Sequence, residues 1–337
     1  MKTALLAISL AVALTSSQAV GQASAIRSLA DRPADAPHKG TRLILLGTSG
    51  GPIANSKRSQ PAQLLVVDGR PYLIDAGDGT AARLRQAGFD AKDVGQIFLT
   101  HLHIDHTLGL APLIAFNWIS GDRQRMTIHG PPGTGDLVRS ALSYLSIPAA
   151  IHGLVLPPHP DPSQLVKIDE IDTRAKRLVF SDDRLKVYAV ANSHYVATPT
   201  ARTTYGPNVS YSYRFEAADR SFVFTGDTGP SQPLTDFAKG ADVMVSEVID
   251  LEKVGRVLRQ QFKGPEKLLE PLLAHMRDEH LTPPEIGKMA SAAGVGMVVL
   301  SHIAPATEIE PDPLNYLSGV RQHYTGPVVF AHDLQEF

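Results

Sequence analysis

The sequence predicts a mixed α/β fold in which two β-sheets pack together with helices on the outside. Three observations carry this. Short apolar or alternating runs of strand length recur in both halves of the chain. Helical segments fall between them, and no strict strand–helix–strand repeat links the two kinds of element. The composition, 337 residues with 43% hydrophobic and 20% charged, supplies an ordinary globular core.

The elements follow in order. Residues 1–25 read as a removable signal peptide: Lys2 gives a positive start, residues 4–14 are apolar, and residues 15–25 are small and polar. Ala23-Ser24-Ala25 fits a cleavage site best, with Ser17-Gln18-Ala19 as a rival. Such a stretch is too short to span a bilayer, so the expectation is export, periplasmic or secreted, without a membrane span. Residues 26–40, with Pro33 and Pro37, read as a linker, and one domain occupies 41–337. Residues 43–46 form a short buried strand ending in the glycine loop Gly47-Thr48-Ser49-Gly50-Gly51. Residues 62–67 and 72–75 make a hairpin around Asp68-Gly69, a pair that favours positive φ. Residues 81–87 are helical and 96–99 a strand; 137–145 are again helical, and the proline-rich 156–163 is a connector.

In the second half, 185–190 is a strand, and 209–215 places Tyr211, Tyr213 and Phe215 on one face. A turn at Asp219-Arg220 leads into the strand 221–224, and 241–248 and 297–300 are buried strands flanking helices. Thr282-Pro283-Pro284-Glu285 has the form of a capping box with proline at the first helical position.

The formal net charge of −2 becomes −3 without residues 1–25, because Lys2 is the only charged group removed. That balance points to no dedicated nucleic-acid surface. The chain contains no cysteine, so disulfides and thiol nucleophiles are excluded, and any metal site must use His, Asp and Glu. No Gly-x-Ser-x-Gly elbow is present.

The chemistry concentrates at Thr100-His101-Leu102-His103-Ile104-Asp105-His106-Thr107, directly after the apolar run 97–99. Alternation along an extended segment points His101 and His103 the same way, and the turn that follows can bring Asp105 and His106 to a second position nearby. These are two half-built sites for a borderline divalent cation such as zinc. The missing ligands must come from other loops at the same end of the sheets. Three candidates sit where an expected strand stops: His194 after 185–190, Asp227 in Thr225-Gly226-Asp227-Thr228, and His302 after 297–300. A carboxylate at Asp227 has two oxygens and can bridge two cations.

At this point the chain resembles the metallo-β-lactamase superfamily, within it the branch of ribonuclease Z and the metal-dependent arylsulfatases. The resemblance runs from Arg42 onward. It rests on Leu46-Gly47-Thr48, Asp75-Ala76-Gly77-Asp78-Gly79-Thr80, the His101–His106 motif, His194, Thr225-Gly226-Asp227-Thr228 and His302. It implies a four-layer αββα sandwich with the site at one edge. It also implies two zinc ions: His101, His103 and His194 on the first, Asp105, His106 and His302 on the second, and Asp227 bridging. Asp75 would sit behind the metals and orient a ligand or its loop; a capped turn after a strand is the other reading. Glu247 and His280 match a pair that in ribonuclease Z-like enzymes lies near the scissile phosphate and supplies a proton. His280 could instead belong to the start of a helix capped by Thr282. Asp105, His280 and Glu247 are the candidate catalytic residues.

The chemistry expected is metal-assisted hydrolysis of a small anionic ester, a phosphodiester or a sulfate ester. A lactone or other carboxylic ester or thioester is the alternative, and a non-catalytic binding protein a lesser one. The β-lactamases proper lack the bridging carboxylate. Ribonuclease Z grips tRNA with a long glycine- and lysine-rich arm, which neither 148–168 nor 250–280 shows. Relatives dimerise, which makes a homodimer the assembly to test.

Overall fold

The computed structural model describes residues 39–120, 122–156, 158–196 and 204–337. The expected signal peptide and nearly all of the linker lie outside the described residues. The first sheet opens with β1 (Thr41–Gly47), β2 (Ala62–Val67) and β3 (Arg70–Ile74), an antiparallel meander. Asp68 and Gly69 both take positive φ, 47° and 82°, as expected of an Asp-Gly pair, and Val67 faces Arg70 across the turn. The helix α1 (Thr80–Gln86) leads to β4 (Gln96–Phe98). The short α2 (Ile104–Thr107) carries the second half of the histidine motif, and α3 (Leu110–Ile119) follows it. Strand β5 (Met126–Gly130), the long helix α4 (Thr134–Gly153) and β6 (Val166–Glu170) complete this half, with the sheet in the order β1-β2-β3-β4-β5-β6.

The second sheet begins with β7 (Arg177–Ser181), β8 (Leu185–Ala191), β9 (Tyr211–Ala217) and β10 (Ser221–Phe224), all antiparallel neighbours. Helix α5 (Gln232–Phe237) crosses to β11 (Val243–Ile249), parallel to β10. Helices α6 (Leu251–Gln261) and α7 (Glu270–Asp278) fill the interval that a flexible arm would occupy. They are followed by α8 (Pro283–Ala293), β12 (Met297–Ala304), α9 (Pro313–Arg321) and β13 (Val328–Phe330). The sheet order is β13-β12-β11-β10-β9-β8-β7.

Three apolar cores define four layers. One lies between the sheets and buries Leu43, Leu45, Phe98, Tyr211, Tyr213, Phe215 and Phe224. Tyr211, Tyr213 and Phe215 thus share the inner face that their alternation requires, each fully buried and worth about 1.5–3 kcal/mol in transfer from water. A second core joins the outer face of the first sheet to α1, α3 and α4 through residues such as Leu84, Leu113, Ile114 and Val138. The third joins the second sheet to α5, α8 and α9 through Leu234, Ile286, Tyr316 and Val320. The fold class is the αββα sandwich expected.

One expectation needs correction. Strand β12 does not stop at Leu300; it continues through Ala304. Ser246 pairs with Leu300 and Val248 with Ile303, so Ser301 and His302 together oppose Glu247. This is a β-bulge, and His302 takes φ 43° within it. The bulge turns the side chain of a mid-strand residue out of the ladder's alternation.

Candidate metal centre

Elements from both sheets deliver the candidate residues to one edge. His101 and His103 follow β4, Asp105 and His106 open α2, and His194 and Asp227 each lie three residues past the end of β8 and β10. His101 Nε2 lies 3.0 Å from His103 Nδ1, which is 3.2 Å from His194 Nε2. Three nitrogens so close cannot all be donors to one another. Their spacing matches the roughly 3.3 Å between nitrogens that share a tetrahedral ion at about 2.0–2.1 Å. The far side of each outer ring is fixed: Thr100 Oγ1 meets His101 Nδ1 at 3.0 Å, and the Glu279 carbonyl meets His194 Nδ1 at 3.0 Å.

The second set is Asp105, His106, Asp227 and His302, all buried, with one ligand atom from each within 4.8 Å of the others. Asp105 Oδ2 is 3.5 Å from His106 Nε2 and 3.4 Å from His302 Nε2. Asp227 belongs to both sets. Its Oδ1 lies 3.4 Å from His106 Nε2, and its Oδ2 lies 3.2 Å from His302 Nε2 and 3.8 Å from His101 Nε2. The carboxylate therefore stands between the two sets, where a bridge is required.

Asp75 stands behind the centre and orients both a loop and a ring. Its carboxylate accepts from the Thr100 N–H at 2.8 Å and meets His106 Nδ1 at 2.9 Å, so it holds the motif loop and one ring of the second set. The glycine loop before β2 is packed just as tightly: a Cβ on Gly51 would fall 1.8 Å from Asp105 Oδ2. Only a residue without a side chain lets the backbone pass there.

Glu247 and His280 come together, His280 Nδ1 to Glu247 Oε2 at 2.6 Å, and the Thr228 N–H donates to Glu247 Oε1 at 2.6 Å. The His280 ring is 5.0 Å from that of His194 and 6.2 Å from that of His302. His280 does precede a helix whose first turn is the expected capping box, with Thr282 and Glu285 closing it reciprocally. The place of His280 before this helix leaves its contact with Glu247 intact.

The electrostatics suit cations. Burial, reinforced by neighbouring imidazoles, lowers His101 well below the ordinary histidine range, and burial likewise lowers His194 and brings His103 to about 4. All three are neutral at pH 7, as ligands must be. In the second set burial opposes protonation, but Asp227 and its companions overcome it: His106 is raised well above its usual value and His302 to about 10. Burial would raise Asp105, yet His106 and His302 bring it down to about 2. Burial works against His280 too, and the Glu247 carboxylate outweighs it, raising the imidazole. His106 Nε2, Asp227 Oδ1 and His302 Nε2 are buried without a hydrogen-bond partner among the described residues. Buried polar atoms of this kind need a partner, and a divalent ion supplies one. The residues fit two ions that share a carboxylate.

Two aromatic rings at the mouth are not among the residues that the sequence singles out. Tyr195 stands 4.8 Å from His194 and 5.4 Å from His103, and His275 on α7 stands 5.2 Å from His194. Tyr195 is legible as the neighbour of a candidate ligand. His275 carries no motif, and its position depends on how α7 packs.

Comparison with known proteins shows the family. Residues 70–303 match the family model described as the β-lactamase superfamily domain. A ribonuclease Z of Mycolicibacterium gilvum is 28% identical over 79% of this chain and 85% of its own length. Among solved structures, the metallo-β-lactamase fold protein YhfI of Bacillus subtilis is similar with a TM-score of 0.63 and 16% identity, covering 89% of this chain and 99% of that one. The short form of human tRNase Z gives a TM-score of 0.59 at 20% identity, covering 88% and 98%. The chain belongs to the metallo-β-lactamase superfamily, with ribonuclease Z among its relatives, and is a metal-dependent hydrolase of ester bonds.

Proposed function

We propose that this chain is a dinuclear zinc phosphodiesterase acting on small anionic substrates. One observation carries the reading: Asp227 is shared between two complete donor sets, and the Glu247–His280 pair stands beside both. Divalent ions held there supply Lewis acidity, which lowers the pKa of water toward neutrality and stabilises charge on the group attacked. His101, His103 and His194 would hold the first ion, and Asp105, His106 and His302 the second. Asp105, packed against the Gly51 backbone, keeps its carboxylate facing the reacting centre. Asp75 fixes the ring of His106. Glu247 orients His280 through Nδ1 and supports a proton there, leaving Nε2 to deliver a proton to the departing alkoxide. Similarity to ribonuclease Z favours a phosphodiester over a sulfate or carboxylic ester. The absence of a basic bias, and the helices α6 and α7 where an arm would lie, favour small substrates over tRNA.

The N-terminal residues support export of the enzyme. Mass spectrometry of secreted protein should find a mature N-terminus between residues 20 and 27, and residues 2–19 intact on it would refute the removable signal peptide. The substrate class is tested with zinc-loaded mature protein on bis-p-nitrophenyl phosphate, p-nitrophenyl sulfate, a lactone and a tRNA precursor. Fastest turnover of the phosphodiester is expected; a faster lactone or sulfate ester, or efficient tRNA cleavage, overturns the assignment.

A further inference from the structure

One imidazole at the site has no part in the function just proposed. His275, on α7, has its ring 5.2 Å from His194, 5.3 Å from His280 and 6.1 Å from His103. One ring nitrogen from each of His194, His275 and His280 lies within 4.8 Å of the other two. The His275 side chain is 19% exposed, so it reaches solvent as well as the site. Its Nδ1 is held by the carboxylate of Glu279, which is fully buried. The same Glu279 holds His194 through its main-chain carbonyl. One residue thus fixes a candidate ligand with its backbone and His275 with its side chain. Nε2 of His275 carries no hydrogen bond to any of the described residues.

Three roles compete for this ring. A third ion would need His194, yet both of its nitrogens are committed, Nδ1 to Glu279 and Nε2 to the cluster with His103. Two imidazoles alone are too few for a stable site. A purely structural histidine would commit both ring nitrogens, whereas Nε2 of His275 meets none of the described residues. A ring oriented by a carboxylate, part exposed and 5.2–5.3 Å from the rings of His194 and His280, is built to touch an anion held at the site.

We propose that His275, positioned by Glu279, is a substrate-binding residue that hydrogen-bonds through Nε2 to the tetrahedral anionic group of the ester, next to His280. This deepens the phosphodiesterase reading and rests on it. The two histidines divide the work. His280 is the deeper ring and serves the leaving oxygen, whereas His275 at the rim grips the anionic group. The contact requires one shared proton between nitrogen and oxygen, brought by the ring or by the phosphate.

The test uses the zinc-loaded full chain with inorganic phosphate as probe, followed by calorimetry and ³¹P NMR, and bis-p-nitrophenyl phosphate as substrate. His275→Ala should weaken phosphate about 10-fold or more, as expected for one charge-assisted hydrogen bond. It should raise KM for the diester by a similar factor, with a much smaller change in kcat and unchanged zinc content. Glu279→Gln, which keeps the carbonyl, should show the same pattern more weakly, and His275→Gln should recover part of the loss. Phosphate affinity and KM within twofold of wild type overturn the proposal, as does loss of zinc from His275→Ala, or wild-type protein that binds no phosphate. If phosphate binding responds to His275 while wild type fails to turn over any phosphodiester, the contact stands and the phosphodiesterase reading falls. If wild type turns over the diester and neither phosphate affinity nor KM responds to His275, the phosphodiesterase reading stands and the contact falls.

Discussion

Asp227 lies within 3.2–3.8 Å of nitrogens from both donor sets, so its removal acts on both at once. Asp227→Ala should lower turnover by orders of magnitude and reduce the affinity of both ions, measured by elemental analysis after dialysis; near-normal turnover would leave Asp227 a turn residue. His280 requires a subtler comparison. General acid catalysis contributes about 10²–10⁴-fold when the leaving group is poor. His280→Ala should therefore cost much more with an alkyl phosphodiester than with a p-nitrophenyl one, at constant zinc content, and equal losses would make its role one of positioning. The two donor sets also differ in protonation. His101, His103 and His194 are neutral at pH 7, whereas the neighbouring carboxylates keep His106 and His302 protonated in metal-free protein. Calorimetry in buffers of different ionisation enthalpy should find proton release with the second set only, and affinity there rising with pH. The sign for metal-free stability follows from the same groups. His302, raised from 6.5 to about 10, stabilises the fold below pH 6.5 and loses that contribution as pH rises through 10. Asp105, depressed from 3.8 to about 2, stabilises it above pH 3.8 and loses that as pH falls toward 2. His103, lowered from 6.5 to about 4, and with it His101 and His194, lose stability as pH falls below 6.5, so metal-free protein should melt highest near pH 6.5.

Among the elements, the loops that carry the site are tighter than their sequences suggest. Gly51 passes so close to Asp105 that any Cβ displaces the carboxylate. Gly51→Ala should retain the far-UV circular dichroism of the fold but lose occupancy of the second ion; full occupancy would mean that the loop yields. What is legible in the sequence has a physical pattern. The hairpin at Asp68-Gly69, the inner face of β9 and the capping box of α8 all depend on local chemistry and can be read directly. Strands β6 and β7 cannot, because their residues are largely half-buried or exposed and lack clean alternation. Helix α3 is equally hidden, because Leu110–Ile119 is apolar almost all round and shows no period. His302 is recognisable as a candidate ligand, but the bulge that aims it depends on the pairing of β11 with β12, which one strand's sequence does not specify. His275 is illegible for a related reason: only tertiary packing brings α7 to the mouth.

At the scale of the whole molecule, the centre draws on both sheets: Asp75, His101, His103, Asp105 and His106 from the first half, His194, Asp227 and His302 from the second. Each donor set is therefore incomplete until the two sheets have docked, and the second also until β12 has found its register. That arrangement predicts an order of events in time. Residues 101–106 alone offer half of each set, so a folding chain holds an ion weakly until its last parallel strands are in place. Interactions absent from the transition state leave folding rates alone and slow unfolding. Zinc should accordingly leave the refolding rate of the chelator-treated protein almost unchanged while lengthening the lifetime of the native state severalfold or more, as stopped-flow chevrons with and without metal would measure. A refolding rate that climbs with zinc would instead mean that the centre assembles early and templates the sandwich. In a chain without a single cysteine, ions bound this late would act as a kinetic lock, engaged only once the fold is finished.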